Sequence, residues 1–136
     1  MNIKIKNNGS AFLLVVFVVA LLAAVVIGML QINTEEIQIV RNQISAAKAL
    51  CIAEAGLNDA FAQIRLDSGW TSGFLNKTFD TGSYTVTVSG SLPGLTIEST
   101  GTDSLGYVAR VIADITVGTS GPPYIISINE LRINES

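Results

Sequence analysis

The sequence predicts an α+β protein. One long N-terminal helix, apolar enough in its first half to span a membrane, packs through its second half on a small antiparallel sheet of three to four strands. Three observations carry this. Residues 11–30 hold no charge, apolar residues recur every three or four positions from 37 to 64, and from residue 84 onward apolar and polar residues alternate.

The charge-free stretch AFLLVVFVVALLAAVVIGML, at about 1.5 Å per residue, makes a helix about 30 Å long, the thickness of a bilayer's hydrocarbon core. It accounts for an unusual composition: 49% hydrophobic residues and 14% charged, against about 25% charged in an ordinary soluble domain. Lys4 and Lys6 precede it and Glu35 and Glu36 follow it, so the positive-inside bias sets the N-terminus in the cytoplasm and the remainder outside. A cleaved secretory signal has a shorter apolar region of about 7–15 residues. Two readings stay open: an uncleaved signal anchor, or cleavage before the apolar run at Gly9-Ser10.

Beyond Glu35 the helix turns amphipathic, with Ile37, Val40, Ile44, Ala47, Leu50 or Cys51, Leu57, Phe61 and Ile64 forming the stripe. Glu36, Arg41, Gln43, Lys48, Asp59 and Gln63 form the polar face. No proline interrupts residues 11–65, and Gly28 and Gly56 weaken the run without breaking it. One helix over about residues 11–66 follows, about 80 Å long, with Gly69 as a left-handed terminator. Tyr84-Thr-Val-Thr-Val-Ser89, residues 95–100 and residues 107–117 then alternate as strands, separated by turns at 91–94 and 101–106. A last strand begins at Tyr124 and continues with a bulge to Ile133. Short connections make a meander whose inner face needs the helix as cover.

Composition also excludes functions. Without histidine and with one cysteine, the chain can build neither a Cys/His zinc site, nor a Ser-His-Asp or Cys-His nucleophile, nor an internal disulfide. A net charge of −3 speaks against nucleic-acid binding by phosphate neutralisation. No catalytic residue, metal or cofactor is expected.

The leader ending Asn7-Asn8-Gly9, the small Ser10, the apolar run from Ala11-Phe-Leu-Leu, and Ala49-Leu-Cys-Ile-Ala-Glu-Ala-Gly-Leu57 followed by Ala60 and Arg65 resemble the type IV pilin and pseudopilin family, specifically minor pilins with a PilX-type N-terminus. The resemblance implies a pilin-like fold divided into a leader (1–9), a transmembrane and filament-core helix half (10–32) and a periplasmic or extracellular domain (33–136). The last comprises the amphipathic helix half (33–66), a connecting loop (67–83) and the sheet (84–136).

It further implies that a prepilin peptidase cuts between Gly9 and Ser10 and that Ser10 is N-methylated. The subunit then waits in the inner membrane until an assembly platform moves its helix into a filament, in a type IV pilus or a type II secretion pseudopilus. Most pilins carry a glutamate at the fifth mature position, paired with the terminal amine of a neighbouring subunit; here that position is Leu14. A buried ammonium without a partner is costly, so the chain is expected to be a minor, tip-located or initiating subunit. The tip component of the secretion machine shares that lack, but it carries a large inserted domain for which this chain has no room.

Among the remaining residues, Trp70, Phe74 and Phe79 lie in the connecting loop, either as a subunit contact patch or as a cap on the core. Cys51 is expected to be a buried, inert thiol. Glu35 and Glu36 read as solvated or headgroup-level charges, and Gly28 as a loosened or packed point of the stalk. Asp80 and Asp103 sit in turns without a calcium ligand series. Asn76-Lys-Thr78 and Asn134-Glu-Ser136 match the N-glycosylation triplet, a pattern common by chance. A signal-anchored envelope protein with a binding β domain is the reading outside the assembly class, and an enzyme the most remote.

Overall fold

The computed structural model describes residues 8–135; Lys4, Lys6 and the rest of the leader before Asn8 lie outside them, as does Ser136, the end of the second glycosylation triplet. The elements are one helix, α1 (Asn8–Leu66), and five strands, β1 (Phe74–Phe79), β2 (Gly82–Ser91), β3 (Gly94–Thr102), β4 (Val108–Val117) and β5 (Ile126–Glu135). The chain divides into two units, one ending at Arg41 and one beginning at Asn42.

The described part of the first unit is helix alone. Its apolar side chains are exposed all round, Phe12, Leu14, Phe17, Leu22 and Met29 among them. By length and composition the helix is long and apolar enough to cross a membrane.

In the second unit the remaining turns of α1 cover an antiparallel sheet ordered β1-β2-β3-β4-β5. Five strands stand where three to four are expected, because Phe74–Phe79 pairs with β2 instead of forming part of a loop. Gly101 and Thr102 likewise belong to β3, opposite Ala109 and Val108, and not to a turn. The bulge in the last strand is present: Asp114 pairs with Glu130 and Ile115 with Ile128, so Asn129 is the extra residue.

The core joins Tyr84, Val86, Leu95, Ile97, Val111, Ala113, Ile115 and Val117 of the sheet to Ile52, Ala53, Leu57, Ala60 and Ile64 of the helix. The helical contact stripe matches the expected one in part: Leu57 and Ile64 are buried, and Leu50 and Phe61 pack against the core. Ala49, Ala53, Gly56 and Ala60 lie buried against the sheet, while Ile44, Ala47 and Cys51 are exposed. Small residues let the helix approach closely beside the larger Ile52, Leu57 and Ile64, which are also buried. At Gly101 a Cβ would lie 2.4 Å from both the Ala49 carbonyl oxygen and the Ala53 amide nitrogen. At Gly56 it would lie 2.4 Å from Ser99 Oγ, a buried hydroxyl that donates to the Ala53 carbonyl at 2.7 Å.

The helix stops differently from expectation. Gly69 is not left-handed; its amide donates to Asp67 Oδ1 at 2.9 Å, and the Asp67 amide donates to the Gln63 carbonyl. An aspartate turn thus supplies the local bonds that release the chain from α1.

Candidate assembly surface

The proposed processing site lies in the first turn of α1, with Gly9 and Ser10 exposed. Leu14 is one turn further and 66% exposed, on the same helix face as Ser10 by its four-residue spacing. The structure therefore sets an uncharged side chain, Leu14, one turn from Ser10 on the same face.

Trp70, Phe74 and Phe79 are drawn together around Tyr84. The ring centroids of Trp70 and Phe74 are 5.1 Å apart, Phe74 meets Tyr84 edge-on at 5.9 Å, and Phe79 lies 6.3 Å from Tyr84. Trp70 and Phe74 are half-buried and pack against the core; Phe79 is 44% exposed at the sheet margin. Lys77 completes the cluster, its Nζ 4.5 Å from the centre of the Phe74 ring and paired with Asp59 of α1. The Tyr84 hydroxyl donates to the same Asp59 oxygen at 2.5 Å.

These contacts set the protonation behaviour. Hydrogen bonds from Lys77 and then from Tyr84 hold the Asp59 carboxyl below its ordinary value, and the bond to Asp59 raises Lys77. Burial, followed by that same carboxylate, raises Tyr84. Asp59, Lys77 and Tyr84 tie β1 and β2 to the helix. Sequence reasoning missed this joint because its members are 18 and 25 residues apart and only strand pairing brings them together.

Asp103 explains its own turn: its Oδ1 accepts from the amides of Leu105 and Tyr107 at 2.9 and 3.0 Å. Among the described residues no group of three or more His, Cys, Asp or Glu is placed to hold a metal. The exposed Cys51 corrects the expectation of a buried thiol.

In the second unit, β5 carries an uncovered apolar face. Ile128, Leu131 and Ile133 pair with the core-facing Ile115, Ala113 and Val111, yet remain 54%, 52% and 49% exposed. A groove of about 600 Å³ runs between this face and the helix, bordered by Asn58, Phe61, Arg65, Tyr124 and Ile128. No family model, curated protein or solved structure gives a significant match to the chain.

Proposed function

We propose that the chain is a structural subunit, a minor pilin or pseudopilin that assembles into or initiates a type IV pilus-like filament after cleavage between Gly9 and Ser10. The observation that carries the reading is the continuity of α1: a lipid-length, charge-free helix passes without interruption into the helix that covers an antiparallel sheet. Such a helix exchanges lipid tails for neighbouring helices at small net cost, since both surroundings are apolar. Its partners are then other pilin subunits along that helix, the prepilin peptidase and an inner-membrane assembly platform. Leu14 favours a minor or initiating position, because the chain cannot offer a carboxylate to another subunit's terminal amine.

A pseudopilin of a type II secretion system is the variant within this class; an uncleaved, signal-anchored envelope protein is the reading outside it. Intact mass and N-terminal sequencing of membrane-extracted protein separate them. A chain beginning at methylated Ser10 is expected, and a chain beginning at Met1 overturns the proposal in favour of the anchor.

A further inference from the structure

We propose that the uncovered face of β5 and the adjoining flank of α1 form a slot for one helix of a different subunit, an amphipathic helix that brings a carboxylate to Arg65. The proposal rests on the filament reading for one element, the source of that helix in a neighbouring subunit.

The slot follows from the layering of helix on sheet. α1 is seated on β3, where Gly101 lies against the Ala49 and Ala53 backbone and Ser99 donates to the Ala53 carbonyl. β5 stands two strands from β3, about 10 Å away at about 4.8 Å per strand. Helices packed side by side keep an interaxial distance of about 8–10 Å, so a second helix lying beside α1 would run over β5. Ile128, Leu131 and Ile133 share a face with the core residues they oppose, so they point to the side of the sheet on which α1 lies, half exposed. A strand added to the outer edge of β5 would leave them uncovered. A helix on this face buries them, as α1 buries the core residues of β2, β3 and β4.

The helix wall of the slot fits the same occupant. Asn58, Phe61, Ala62 and Arg65 recur at three- and four-residue steps, so they form one face of α1, and they border the groove opposite Ile126 and Ile128. Ala62 carries only a methyl group, which lets a neighbouring helix come close. Arg65 is the only charged residue bordering the groove; it is exposed, and among the described residues it has no ion pair. A helix with an aliphatic stripe and a carboxylate beside it complements this surface in both shape and charge. On the β1 side, Trp70 and Phe74 pack against the core and Lys77 is bonded to Asp59, so the chain itself covers that side. The slot is thus one-sided, which suits a subunit present in few copies whose neighbour is a different chain.

Photocrosslinking of the full-length chain in native membranes tests this, with p-benzoylphenylalanine replacing the exposed Leu131 in one variant and the exposed Ile128 in another. Both should form an adduct with one other membrane-anchored protein, through a peptide that contains Asp or Glu and whose apolar residues recur at three- and four-residue steps. The same photoreactive residue in place of Ser127, which pairs with Thr116 on the opposite face, should not capture that peptide. Adding Arg65→Glu to the Leu131 variant should cut the adduct about tenfold, and reversing the carboxylate of the captured peptide to lysine should restore it. An adduct with a second copy of this chain, with a peptide of period-two alternation or with lipid alone overturns the proposal, as does no adduct. N-terminal sequencing of the same sample separates the two readings. No adduct in a chain starting at Ser10 sinks the slot alone, and the helix adduct in a chain starting at Met1 supports the slot while the filament reading falls.

Discussion

Gly101 of β3 lies directly against the Ala53 backbone, so that a Cβ added there would stand 2.4 Å from the Ala53 amide nitrogen and 3.0 Å from its Cα. Backbone cannot yield as a flexible side chain does. Gly101→Ala is therefore expected to destabilise the domain by about 1–3 kcal/mol, as overpacking of a close contact does. Urea unfolding of the detergent-solubilised chain measures it. Gly94→Ala, where a Cβ meets nothing within 4 Å, should leave the midpoint almost unchanged.

The Asp59 carboxylate is held below its ordinary value, so the folded chain binds its proton less readily than the unfolded chain. Its contribution to stability is full above about pH 4 and is lost as pH falls through the lowered value. Unfolding free energy measured from pH 6 down to pH 2 should fall more steeply in the wild type than in Asp59→Asn, and equal slopes would refute the joint's electrostatic role.

Cys51 is exposed on α1, against the expectation of a buried thiol. A water-soluble maleimide should label it in the folded, membrane-embedded chain at a rate within about threefold of the urea-unfolded chain, since accessibility governs the difference. Labelling that needs denaturant would contradict the structure.

Leu14→Glu restores a carboxylate four residues beyond Ser10. On the filament reading, labelled electron microscopy should count few wild-type copies per filament and several times more of the variant. Abundant wild-type copies along the shaft would refute the minor or initiating position.

Periodicity made much of the second unit legible. Strong alternation in residues 107–117 predicted the buried set Ala109, Val111, Ala113, Ile115 and Val117, and all five are buried. Phe74–Phe79 escaped because it is short, irregular against β2 and mostly exposed, so it carries no alternation; Asn76 even takes a positive φ of 46°. The helix stripe holds at Leu57 and Ile64, which are buried, and fails at Ile44, Ala47 and Cys51, because hydropathy undervalues the small residues Ala49, Ala53, Gly56 and Ala60 that share the contact. Gly56 looks like a helix defect in the sequence but in the fold makes space for Ser99 and the Tyr84 ring. The processing residues Gly9 and Ser10 rest on resemblance to a family motif, whereas the Asp59, Lys77 and Tyr84 cluster depends on long-range pairing that no local pattern encodes.

Gly56 and Gly101 also form a mechanical joint. One is a notch in the helix that receives Ser99, and the other is a notch in the sheet that receives the helix backbone. A tug along α1 loads this interlock in shear, where many contacts must fail together, and not in peeling, where they would fail one at a time.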